Sequence, residues 1–289
     1  MKSQTKTHWK QRLKTYRKHP LSGILFLLVI LSAVVTLSVL VALVAYIFIK
    51  GIPYLKPELF AWEYTTENVS MMPAIINTIT ITLLSLVVAL PIGIGSAIYL
   101  AEYAKRGNKL VSVVRLTTET LSGIPSIVYG LFGFLLFNEF LGWGYSILGG
   151  ALTLAIMILP LIMRTTEEAL LSVPDLYREG SFGLGAGHLR TIFRIVLPSA
   201  IPGILSGVIL AVGRIVGETA ALLYPAGTSA TVAGGLMESG RTLSVHMYAL
   251  LNEGLYMEQA YATAVVLLLL VLGINALSAL IAKKVGVKD

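Results

Sequence analysis

Cysteine is absent from this 289-residue chain, which excludes disulfides, thiolate nucleophiles and cysteine-ligated zinc or iron–sulfur centres. Aspartate is almost absent too. Asp175 and Asp289 are its only two occurrences, so no aspartyl dyad can sit in an apolar span. The four histidines, His8, His19, His188 and His246, are scattered along the chain. None is placed to complete a metal site or to activate a serine within a span. No Gly-x4-Gly-Lys-Ser/Thr loop occurs, so nothing in the chain is built to cradle ATP phosphates. Charge itself is scarce: 13% of residues are charged and 56% are hydrophobic, against about 25% charged in an ordinary soluble domain. These proportions describe an all-α polytopic membrane protein.

Six stretches are long enough to cross a bilayer, which takes about 20 apolar residues. They fall near 22–49, 74–100, 113–137, 146–171, 199–223 and 260–282. The first follows a basic segment, 1–21, as a signal peptide would, but its apolar run far exceeds a signal h-region and reads as a retained anchor. The remaining five spans, 74–282, form one permease-sized unit, with the connection 172–198 between spans four and five.

The net charge of +7 gains meaning from its distribution. Lysine and arginine cluster before span one, between spans two and three, around 164–194 and after span six, leaving only Lys50, Lys56 and Arg241 on the opposite side and Arg214 within a span. The positive-inside rule then places both termini in the cytoplasm of a cell-membrane protein. Basic residues arranged this way set topology and meet anionic lipid; nucleic acid is not the expected partner.

Span five carries the stretch "AVGRIVGETAALL", Ala211 to Leu223. An ionised residue at mid-membrane costs roughly 2.5 to 3.5 kcal/mol on insertion scales. Arg214 and Glu218 stand four apart, so a continuous helix would pair them on one face. Two readings fit: a structural ion pair that fixes helix packing, or a half-neutralised stop for an anion. Guanidinium offers a planar fork for tetrahedral oxyanions, and a neighbouring carboxylate would keep binding weak enough for release. Arg164, near the end of span four, is a second pathway candidate or a snorkelling topological arginine. Thr219, Ser122 and Ser126 could donate to an oxyanion, although intramembrane hydroxyls commonly bond helix backbone. Arg115 and Glu119 repeat the four-residue spacing near the inner surface, where a structural role is expected. Gly203 with Gly207, and Gly213 with Gly217, allow close helix approach along span five.

The connection reads "SVPDLYREGSFGLGAGHLRTIFRIVLP". Asp175 after Pro174 opens a short helix, glycines at 183, 185 and 187 break it, and a second amphipathic piece runs from His188 to Leu197. Glu179, Gly180, Ser181, Gly185, Ile195, Leu197 and Pro198 stand at the spacing of the Glu-Ala-Ala…Gly…Ile-x-Leu-Pro pattern that resembles the membrane subunits of ABC importers. Gly180 and Ser181 replace its two alanines. "NTITITLLSLVVALPIGIGSAIYLAEYA", "GIPSIVYGLFG" and "GRIVGETAAL" are similar to the phosphate-specific, PstA-type branch of that family.

The resemblance implies a type I importer permease fold of six transmembrane helices, with 172–198 as the cytoplasmic coupling helix. It implies transport of inorganic phosphate, or of another oxyanion such as sulfate or molybdate, as one half of a heterodimer with a related permease. Two separate ATPase subunits would use ATP and Mg, this chain binding no cofactor or metal of its own, and an extracytoplasmic phosphate-binding protein would deliver the substrate. Glu179, Gly180, Ser181, Gly185, Ile195, Leu197 and Pro198 would serve ATPase coupling, the small residues at 180 and 181 permitting close approach. The outer loop 224–259 would gate the pathway, dock the binding protein or simply connect spans.

Overall fold

The computed structural model describes residues 20–104 and 107–286, and every regular element among them is helical. The basic stretch 1–19, together with Lys105 and Arg106, lies outside the described residues. The chain divides into two units, residues 1–50 and 51–289.

In the first unit, α1 (Pro20–Gly51) is apolar on all sides, with Leu25, Leu28 and Leu31 exposed. A helix without a polar face suits lipid rather than water. Two of its hydroxyls are satisfied internally, Ser32 donating to the Leu28 carbonyl and Thr36 to that of Ser32, each at 2.8 Å.

The second unit holds α2 (Met72–Ile98), α3 (Lys109–Ser122), α4 (Ser126–Gly133), α5 (Ile147–Leu171), α6 (Asp175–Gly183), α7 (His188–Thr191), α8 (Leu197–Gly217), α9 (Leu243–Glu253) and α10 (Met257–Gly286). Single π-helical turns extend α2 through Tyr103, α4 through Phe140 and α7 through Val196. Helix α5 is the central post. Leu154, Met157, Ile158 and Ile162 are buried among α2, α4 and α8. Small residues permit that density: a Cβ at Gly203 would approach the Ala169 Cβ to 2.7 Å, and one at Gly207 would collide with Thr165. The Gly203/Gly207 stripe thus seats α8 on α5, as small-xxx-small spacing requires. Gly213 and Gly217 face no such contact.

Among the described residues, five helices are each long and apolar enough to cross a membrane, and a bent pair of helices makes up a sixth apolar stretch. The sequence pattern suggested a continuous helix over 113–137. Instead Val111–Ser122 and Ser126–Phe140 meet at 103°. Pro125 cannot donate into a helix ladder and disfavours helical geometry in the residue before it; its own extended conformation starts α4. The break leaves backbone groups that lipid would not satisfy. Tyr129 answers one of them, its hydroxyl donating to the Leu121 carbonyl at 2.8 Å.

Span five is also shorter than its apolar run suggested. The helix stops at Gly217, and Glu218 turns extended (ψ 130°). The following loop folds back into the bundle rather than simply linking spans. Leu222, Ala226 and Arg241 are buried, and Asn77 on α2 donates to the carbonyls of Thr231 and Arg241.

Candidate functional site

A cavity of about 460 Å³ opens between α3, α5 and α8. Along α5 its lining runs from Met157 to Leu171, roughly 20 Å of helix rise. Helix α3 supplies Arg115, Glu119 and Ser122, whose i, i+4, i+7 spacing puts them on one face. Helix α5 supplies Arg164, Glu167 and Glu168, and α8 supplies Arg214. The two arginines singled out from the sequence therefore meet in one space.

Two ion pairs cross or line it. Arg115 Nη2 donates to Glu167 Oε1 at 2.6 Å, tying α3 to α5. Arg164 Nε donates to Glu168 Oε1 at 3.0 Å within one turn of α5. Both partners of the second pair are more than 60% exposed, so the pair adds little to stability. Among the described residues, Arg214 and Glu119 have no salt bridge.

Glu218 does not pair with Arg214. Because α8 has ended, the four-residue spacing no longer places them on a common face. Glu218 Oε1 instead accepts the Ala221 backbone N–H at 3.1 Å, and its own carbonyl accepts the Ser244 hydroxyl. It holds the turn that follows the span. Thr219 and Ser126 are half-buried and do not line the cavity. Ser122 does, but its hydroxyl donates to the Glu119 carbonyl at 2.7 Å. Local spacing does not point to Glu167 and Glu168, and it suggests only a structural role for Arg115 with Glu119. The α3 spacing 115–119–122 was the available signal, whereas the Arg115–Glu167 contact is not a local pattern.

At the end of the bundle beyond Leu171, α6 and α7 form a compact elbow. Arg178 anchors it. Its guanidinium reaches Glu102 at 2.7 Å, the Val173 and Leu170 carbonyls at 2.8 and 2.9 Å, and Asp175 at 3.1 Å. The Glu102 hydrogen bond, opposed by desolvation, holds Arg178 more firmly protonated than an ordinary arginine. Glu179 and Gly180 are exposed, but Ser181 is buried and shares a 2.8 Å hydrogen bond with Thr191. Ser181 therefore packs α6 on α7 and is not open to an outside partner. Gly185 takes φ +79° directly after α6, a conformation glycine adopts without a Cβ clash. Leu176 and Leu184 project from the elbow, 74% and 91% exposed. Ile195 and Leu197 are half-buried, and Pro198 follows the π-helical turn at the start of α8.

At the opposite end, His246 on α9 is buried beside Arg241 and the edge-on ring of Tyr64, 6.1 Å away. Arg241 lies over the same Tyr64 ring, 4.8 Å from its centroid.

Comparison with known proteins agrees with this architecture. Residues 89–287 match the family model described as binding-protein-dependent transport system inner membrane component. The probable ABC transporter permease protein YqgI of Bacillus subtilis is 36% identical over 245 residues, covering 78% of this chain and 81% of its own. The phosphate transport system permease protein PstA of Mycobacterium leprae is 33% identical over 258 residues, 86% of this chain and 84% of its own. Among solved structures, the inward-facing MetNI methionine ABC transporter matches with a TM-score of 0.58 at 21% identity, covering 74% of this chain and 94% of that one; this likeness concerns the fold. The family match over most of the helical unit, with the broken third span and the elbow between spans four and five, identifies the chain as a multi-pass membrane protein of the binding-protein-dependent transport system inner membrane component family.

Proposed function

We propose that this chain is the permease subunit of an ATP-driven importer of inorganic phosphate. The observation that carries the reading is the single cavity that brings Arg164 on α5 and Arg214 on α8 together. Guanidinium forks match the oxygens of a tetrahedral oxyanion, and Arg164, bonded to Glu168 through Nε, keeps further N–H donors with which to hold a passing anion and release it again. Relatives named as phosphate permeases favour phosphate over sulfate or molybdate.

Import against an inside-negative potential costs about 2.3 kcal/mol per charge per 100 mV, so an anion needs a motor. The exposed Leu176 and Leu184 on the α6–α7 elbow suit docking to separate ATPase subunits, which would consume ATP and Mg. Glu179, Gly180 and Gly185 belong to that docking face. Ser181 holds the elbow together through Thr191, and Ile195, Leu197 and Pro198 lie where the elbow runs into α8. A related second permease would close the pathway, and an extracytoplasmic phosphate-binding protein would load it. The basic loops favour a cytoplasmic position for both termini and the elbow under the positive-inside rule.

The test is reconstitution of the complete transporter in proteoliposomes. ATP-dependent uptake of labelled phosphate, competed by unlabelled phosphate and not by sulfate, is the expected result. Uptake that sulfate displaces as well as phosphate would point to a general oxyanion permease, and uptake without ATP would overturn the reading.

A further inference from the structure

We infer that Glu119 selects for oxyanions that still carry a proton; this rests on the cavity being the anion pathway. The argument is an inventory of donors and acceptors. Glu167 and Glu168 already accept from Arg115 and Arg164. The three lining hydroxyls are committed to their own helices: Thr118 donates to the Val114 carbonyl at 2.8 Å, Ser122 to that of Glu119 at 2.7 Å, and Thr165 to that of Leu161 at 2.9 Å. Two charged groups on the lining then remain without a salt bridge among the described residues, Arg214 and Glu119, the latter within the electrostatic reach of Arg164 but not bonded to it. The first only donates and the second, ionised, only accepts.

A ligand that satisfies both must present acceptor oxygens to Arg214 and an O–H to Glu119. Phosphate and arsenate near neutral pH do so, because each keeps at least one proton. Sulfate and molybdate are fully ionised and would set oxygen lone pairs against the Glu119 carboxylate. Sites built to bond a substrate hydroxyl reject analogues that lack it far more sharply than sites that read charge or size. Overall charge does not separate phosphate from sulfate, but one acceptor-only side chain does. Glu119 is thus a specificity-determining residue, distinct from the arginines that attract any anion.

The test uses the intact permease–ATPase complex in nanodiscs without a binding protein, so that selectivity reports this cavity alone. Equilibrium binding of radiolabelled phosphate is competed by arsenate and by sulfate, for the wild type and for Glu119→Gln, Glu119→Asp and Arg214→Gln, each first checked for assembly by gel filtration. Arsenate should displace phosphate from the wild type and sulfate should not. Glu119→Gln, whose amide donates as well as accepts, should weaken phosphate about tenfold or more and let sulfate compete. Glu119→Asp should keep the wild-type order. An assembled Glu119→Gln complex that retains that order overturns the inference while leaving the pathway intact. Undiminished phosphate binding by Arg214→Gln, or none by the wild type, overturns the pathway reading beneath it.

Discussion

Arg178 and Glu102 lie 76 residues apart in the chain yet meet at 2.7 Å, with their side chains only 15% and 5% exposed. The contact joins the last turn of α2 to the elbow that follows α5. Arg178 also donates to the Leu170 and Val173 carbonyls where α5 ends and the elbow begins. One guanidinium therefore clamps three segments, and any push on the elbow is delivered to two spans together.

Removing one partner of such a pair leaves the other charge buried and unanswered, which costs about 3 kcal/mol or more. Arg178→Met should loosen the elbow and lower ATP-driven uptake at least tenfold while the spans stay folded. Uptake and ATPase activity measured on the same reconstituted complex check this. Unchanged uptake per ATP hydrolysed would remove the clamp from the coupling route.

Gly207 and Gly203 make a prediction about packing alone. A side chain at 207 would meet Thr165 on α5, and overpacking typically costs 1 to 3 kcal/mol. Gly207→Val should lower the thermal stability of the detergent-purified protein, while Gly217→Ala, which meets nothing within 4 Å, should leave it unchanged. Gly185→Ala strains a φ of +79° and should cost about 1 kcal/mol through the elbow turn.

Long apolar runs made the spans legible, because a bilayer demands about 20 such residues whatever the tertiary fold. The break after Ser122 was written in "GIPS", but Ile124 before Pro125 and Ile127 and Val128 after Ser126 carry an apolar pattern across it. The end of α8 was hidden in the same way, since "AALL" continues the apolar pattern past Glu218. Arg164 and Arg214 could be singled out by the cost of their location. That they share a cavity, and that Arg115 answers Glu167 rather than Glu119, depends on where α3 lies against α5. Local spacing carries no information about that.

The corrected place of Glu218 separates two variants that a helical ion pair would have linked. Glu218 accepts a backbone N–H from Ala221, and a glutamine carbonyl oxygen can accept the same bond. Glu218→Gln should therefore transport near the wild-type level, whereas Arg214→Gln should abolish phosphate uptake in a complex that still assembles. Parallel uptake assays on both variants decide it. Equal losses would restore the ion pair as the working unit, and normal transport by Arg214→Gln would reduce this arginine to packing.

His246 gives the molecule an acid-sensitive point at its other end. Burial first, and then the charge of Arg241, lower its pKa from 6.5 to about 3, with the Val69 backbone acting in the opposite direction. Protonation is thus easier in the unfolded chain than in the folded one. The stability that comes from keeping this ring neutral is complete above pH 6.5 and is lost as pH falls from there toward 3, at about 1.4 kcal/mol per unit. His246→Leu removes the titrating group while keeping an apolar side chain against Tyr64. Melting temperatures of the purified protein between pH 7 and pH 5 should fall for the wild type and fall less for this variant. Two parallel curves would mean that folding does not lower the His246 pKa below its unfolded value.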